Sequence, residues 1–201
     1  MYIAAFRCTI GAIHKALLGI MSKKDYSNGC LRMFPLDPSG EELSLSNLQS
    51  LLSRKEDVSP NSYTAFSHRP LNAPDFVCMR TPLEDGWQTL FNMLSLELGV
   101  ESYRISESSG RDDFYCFQSY QQGKECVVYL MKDTKWIFYE KGERLPCEQS
   151  DMYTKRRIRD RLNGPMLLDY LLQVGLDARD SSFYHSEENV LVFYYTWEGL
   201  I

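Results

Sequence analysis

Residues 100–140 read VESYRISESSGRDDFYCFQSYQQGKECVVYLMKDTKWIFYE, and their alternation decides the architecture. Tyr, Phe, Val, Ile and Trp recur with a period near two over 100–107, 113–121, 125–131 and 135–140. That spacing sends successive side chains to opposite faces of a strand. Ser108–Asp113, Gln121–Gly123 and Lys132–Thr134 separate the runs. Connections this short join antiparallel neighbours, because a parallel pair needs a crossover of a dozen residues or more. The stretch predicts a four-strand antiparallel meander.

Upstream, Phe76–Arg80 reads as a strand followed by Thr81-Pro82-Leu83-Glu84, a capping-box pattern that starts a helix over 82–98 and lets Gly99 end it. Tyr2–Cys8 is strand-like, and Ile10, Ile13, Leu17 and Met21 then follow at helical spacing over 10–21. Cys30–Phe34 reads as a short strand, and Ser44 or Ser46 caps a helix near 44–53. Downstream, 151–162 is expected as a polar, Arg-rich helix, and 165–174 as one so apolar that it is buried nearly all round. Val190–Trp197 is a continuous apolar run of strand length. The fold class expected is α+β: an antiparallel sheet packed by about five helices.

Pro60, Pro70 and Pro74 punctuate residues 53–75, which read as a long packed loop holding a short edge strand around Tyr63 and Phe66. The chain is expected to be one domain over 1–201, with a division into 1–53 and 76–201 as the alternative. Of the 201 residues, 44% are hydrophobic and 24% charged, which excludes a disordered chain, a collagen-like fibre and a coiled-coil rod. No apolar run reaches the roughly 18 residues needed to cross a bilayer. Arg7 and His14-Lys15 break any secretory apolar core near the amino terminus, so a cytoplasmic protein is expected.

No C-x-x-C, G-x-S-x-G, S-x-x-K, H-x-x-x-H, EF-hand or phosphate-loop pattern is present, so no catalytic, metal or cofactor residue is assigned and no cofactor is expected. His14 falls on a helix, whereas His68 and His185 fall in turn-like segments. An enzyme whose site assembles from distant loops around His68 or His185 is therefore the alternative reading. The net charge is −5, with Lys155, Arg156, Arg157, Arg159 and Arg161 concentrated in one segment. One basic segment in an acidic chain lacks the broad footprint of a nucleic-acid binder. Tyr, Phe and Trp make up 13% of the chain, and most belong to the meander and the final strand, where core packing explains them, but Tyr103, Tyr115, Tyr120, Tyr129 and Tyr139 cannot all point inward. Outward tyrosines suit recognition surfaces, since they bring large contact area with few rotors.

The function expected is non-catalytic protein binding. More narrowly, the sequence suits a small acidic inhibitor of the toxin-immunity type, whose partner is a basic toxin or nuclease. Asp112, Asp113, Glu187 and Glu188, acidic doublets in solvated turns, are the contact candidates. An adaptor or chaperone that holds an extended segment on a sheet edge is a third reading.

Cys8, Cys30, Cys78, Cys116, Cys126 and Cys147 are scattered, and several lie in apolar strand-like runs, where free cysteine behaves as a small hydrophobe. All six are expected to be reduced. Alkylation of the denatured, unreduced chain should add six adducts by mass spectrometry; six thiols blocked against alkylation would overturn the assignment.

Overall fold

Burial of a whole strand organises the chain. All five residues of β1 (Tyr2–Phe6) are buried, with Tyr2, Ala4 and Phe6 on one face and Ile3 and Ala5 on the other. A strand buried on both sides needs neighbours on each edge and a layer on each face. The computed structural model describes residues 1–22, 29–38, 40–53, 63–83, 87–108 and 113–197. After β1 come α1 (Ile10–Met21), β2 (Gly29–Leu36), α2 (Leu45–Ser53), β3 (Tyr63–His68), β4 (Val77–Arg80) and α3 (Gln88–Leu98). The meander follows as β5 (Ser102–Ser108), β6 (Phe114–Gln121), β7 (Lys124–Lys132) and β8 (Trp136–Lys141), and then α4 (Gly164–Gln173) and β9 (Val190–Trp197). The strands form one antiparallel sheet in the order β2-β9-β3-β4-β1-β5-β6-β7-β8.

On the first face, α1 and α3 lie side by side over β1 and its neighbours. Ile13, Leu17 and Ile20 of α1 and Leu90, Phe91 and Leu94 of α3 meet Ala4 and Phe6, with the rings of Phe6 and Phe91 5.5 Å apart. Thr9 starts α1 by accepting from the Ala12 amide. The second face is covered by α4 and the irregular chain around it, and Tyr170 meets Phe117 edge to face at 5.2 Å. A smaller cluster places Leu43 and Leu48 of the α2 region against Phe66, Val190 and Val192 at the other flank.

These observations correct the expected α+β architecture packed by about five helices. The meander is one flank of a nine-stranded sheet, and four α-helices are present among the described residues. Residues 151–162 form two 3-10 turns, Met152–Thr154 and Ile158–Asp160, rather than a helix. The Lys155 carbonyl, which a helix would pair with the amide four residues on, instead accepts from Arg161 Nε at 2.9 Å. Tyr153 and Leu162 are buried as an inner stripe requires, while Ile158 is 38% exposed.

α3 begins at Gln88 rather than at Pro82. Trp87 adopts the left-handed conformation (φ 51°), which sets its indole between Tyr63 (5.3 Å) and Phe193 (5.1 Å). Thr81, expected as the cap, instead pins two strands by donating to the Thr64 carbonyl at 2.8 Å. Glu84 lies outside the described residues. Gly99 ends α3 as expected, in the left-handed region. β3 is not an edge strand but sits between β9 and β4. α4 leaves Leu172 46% exposed and so is not buried all round.

The chain leaving β8 is fastened to the second face by the buried Glu148 carboxylate. It accepts from the Leu145 amide (2.7 Å), the Tyr153 hydroxyl (2.8 Å) and the Cys126 thiol (3.4 Å). Gly142 begins this segment with φ 89°, and a Cβ there would collide with the Glu125 carbonyl and lie 2.9 Å from Cys126 Cα. Both the conformation and the contact exclude a side chain. Gly142→Ala should lower stability by about 2–4 kcal/mol in urea unfolding; an unchanged midpoint would show that the segment is not held against β7.

Candidate protein-binding face

The helical layer on the first face stops before the sheet does. Asn92 of α3 accepts from Gln118 of β6 (3.0 Å), and one turn on along the same side Leu96 is 66% exposed. Beyond α3, the register places Phe114 of β6, Val127, Tyr129 and Met131 of β7, and Ile137 and Tyr139 of β8 on this face. Tyr129 and Tyr139 stand directly opposite and stack with centroids 5.0 Å apart at 23°, and Phe114 lies 6.2 Å from Tyr129. Tyr139 is 41% exposed, and the other five are half-buried. The result is an aromatic trough walled on one side by α3 and open on the other.

One carboxylate sets the polar end of the trough. Glu125 accepts from Lys141 Nζ (2.8 Å), Gln118 Nε2 (2.8 Å) and the Tyr120 hydroxyl (3.1 Å), tying β6, β7 and β8 together. The Lys141 bond is the main reason its carboxyl lies below the usual range. Burial, and then the Glu125 charge, push the Tyr120 phenol up to about 12, so it stays a neutral donor. Deeper in the same face, Arg104 is 1% exposed, donates to Cys116 Sγ at 3.4 Å and lies over the Phe91 ring. Nothing in the sequence pattern of β5 distinguishes this buried arginine from a solvated one.

The acidic contact candidates are not brought together. Asp112 lies outside the described residues. Asp113 sits at the entry to β6, where its carbonyl accepts from the Lys132 amide at 2.8 Å. Glu187 and Glu188 are exposed in the turn before β9, and Glu188 pairs with Arg69 at 3.1 Å. β6 and β9 are five strand spacings apart, about 24 Å. The register also puts the start of β9 level with the end of β6, so the two doublets lie at opposite ends of the sheet. Of the five tyrosines, Tyr103 and Tyr120 are buried and Tyr115 turns to the other face, leaving Tyr129 and Tyr139 on the trough.

His68 and His185 do share a neighbourhood, but His68 has no solvent access. Its Nε2 lies 3.0 Å from the Phe183 carbonyl, and Phe183 also meets its ring edge to face, two residues before His185. His185 is half-buried and its carbonyl accepts from the Leu71 amide. His14 is exposed on α1. Two clefts at the far end of the sheet, of about 560 and 610 Å³, share Gln121, Leu145 and Pro146, and neither includes a histidine.

In the first cleft, Glu101 accepts from Arg7 (2.7 Å) and from the Tyr103 hydroxyl, to which Gln121 donates (2.8 Å). Burial works against the charge of Glu101, yet the Arg7 and Tyr103 bonds hold its carboxyl below the usual range. Burial pushes the Cys147 thiol up to about 11 and the Cys126 thiol up to about 12, so both clefts hold protonated thiols rather than nucleophiles. Five cysteines are free: Cys8, Cys78, Cys116, Cys126 and Cys147; the Cys30 side chain lies outside the description. Among the described residues no three His, Cys, Asp or Glu side chains converge as a metal site, and no helix is long and apolar enough to cross a membrane. No family model, curated protein or solved structure matches the chain.

Burial depresses the His68 pKa from its ordinary 6.5 to about 4. The unfolded chain therefore binds the proton first, and folded stability falls as pH drops from 6.5 towards 4, by roughly 3 kcal/mol in full. Urea midpoints of the wild type should decline more steeply between pH 7 and 4.5 than those of His68→Gln. Parallel declines would mean that His68 is not the titrating group.

Proposed function

We propose that this protein acts by binding another protein, without chemistry of its own, through the trough on β6–β8. The observation that carries the reading is the stacked Tyr129–Tyr139 pair, held in register beside the exposed Leu96 on a sheet face that α3 stops short of covering. β6 to β8 span about 10 Å between outer strands, close to the 10–12 Å diameter of a helix with its side chains. α1 and α3 already lie on this face, so a helix from the partner continues the same layer. Chemistry argues for a basic partner: the chain carries −5, and tyrosine faces attract Lys and Arg. Within that class, a stoichiometric inhibitor of the toxin-immunity type, directed at a basic toxin or nuclease, is the finer reading.

The test places a photo-crosslinking phenylalanine analogue at Tyr139 or at Tyr63, whose exposure is similar at 40% but which pairs with β9 instead. Only the Tyr139 position should crosslink to a basic protein, and the crosslink should map to a helix. Tyr129→Ala with Tyr139→Ala should weaken that complex about 10–100-fold with the circular dichroism unchanged, while Tyr63→Ala leaves it intact. Binding that survives the double substitution would sink the proposal.

A further inference from the structure

Residues 155–161 read KRRIRDR, so five cations and one acid, Asp160, fall within seven residues of a chain whose overall charge is −5. The segment is a tied loop rather than a solvated helix. Arg161 Nε joins its ends by donating to the Lys155 carbonyl (2.9 Å), and the Arg157 and Ile158 carbonyls accept from the Asp160 and Arg161 amides. Tyr153 and Leu162 anchor it in the core of the second face, and the Arg161 guanidinium lies 5.3 Å from the centre of the Phe138 ring of β8. Arg161 is thereby committed to the fold. Two nearby acids are taken as well: Asp160 lies 3.6 Å from Arg159, and Glu140 of β8 pairs with Arg144 at 2.9 Å. Lys155, Arg156 and Arg157 are exposed and make no ion pair among the described residues. Between Arg157 and Arg159 stands Ile158, an aliphatic side chain left 38% exposed.

Cations with one aliphatic side chain among them, on a backbone already fixed, match the chemistry of an anionic bilayer surface. We propose that residues 155–161 dock this protein reversibly on such a membrane. Lys155, Arg156, Arg157 and Arg159 lie among the phosphate and carboxylate headgroups, and Ile158 reaches the acyl boundary.

The fold argues against other polyanions. A duplex groove is read by a helix or a two-stranded ribbon, and this segment is built on 3-10 turns. Single strands stack on aromatic platforms, whereas the apolar side chain here is an isoleucine. An acidic protein presents its carboxylates at fixed points, and matching them would order three long side chains at an entropic cost. A fluid array of headgroups demands no such match. Charges farther away than about 8 Å are screened at physiological salt, so acids elsewhere in the chain do not cancel the attraction. With a single aliphatic anchor the attachment is weak, and it leaves the trough on the first face open.

Vesicle flotation of the full chain tests this. The protein should float with phosphatidylcholine vesicles holding about 30% phosphatidylserine at about 0.1 M salt, not with phosphatidylcholine alone, and should be released at about 0.5 M salt. Arg156→Ala with Arg157→Ala should weaken binding about 20–30-fold. Ile158→Ser should weaken it about fivefold, and Ile158→Trp should tighten it, which keeps the test decisive if serine loosens the turn. Leu96→Ser, on the first face, should change nothing, so this result stands apart from the trough. Flotation with neither vesicle, or equally with both, overturns the inference. So does flotation indifferent to the arginine pair or to both Ile158 changes, flotation lost with Leu96→Ser, or a duplex DNA or RNA that displaces the vesicles.

Discussion

The complete burial of Tyr2–Phe6 is the constraint on which the rest of this structure depends. A strand with no solvent face forces the sheet to be covered twice, and a nine-stranded sheet is about 38 Å across. Helices pack at intervals of about 10 Å, so one layer needs roughly four of them. Among the described residues the first face has two, α1 and α3, with Trp87 filling in over β9 beside Phe193. The aromatic trough on β6–β8 follows from that shortage rather than from any loop or insertion. On the second face α4 is helped by α2 and by irregular chain, and there buried polar groups do what helices would otherwise do. Glu148 organises three donors from three separate segments around one carboxylate.

What the sequence revealed and what it hid follow from how local the signals are. The meander was legible because its turns are short and its strands alternate, both local properties. α1 and the end of α3 were legible through the Ile10–Ile13–Leu17–Met21 spacing and Gly99. β3 was legible as a short strand around Tyr63 and Phe66 but not as a central one, because Thr64, Ser67 and His68 give it a polar reading, yet all three are buried between β9 and β4. Trp87 and the arginines of 151–161 misled for a related reason. Helical composition was overridden by a tertiary contact in the first case and by a side chain claiming a backbone carbonyl in the second.

The candidate site had a stronger signal than the acidic doublets that were singled out. The Lys132–Trp136 hairpin fixes the β7–β8 register, and counting three residues back and three forward places Tyr129 opposite Tyr139. Turn geometry therefore predicts the stack, whereas charge counting predicts contacts at Asp113 and Glu187–Glu188 that the topology sets at opposite ends of the sheet. Register is the better guide because it is fixed by the backbone, while a surface acid is free to be solvated anywhere. The stack's solvent exposure, however, depends on where α3 ends its cover, which only the assembled fold determines.

Binding and catalysis make opposite demands on the same groups. A general base needs access and a pKa near the working pH, but His68 is sealed against Phe183 with its pKa depressed to about 4. The cleft thiols are raised by burial rather than lowered by a neighbouring cation. By contrast, the trough keeps apolar surface accessible, at Tyr139 of β8 and at Leu96 of the neighbouring α3.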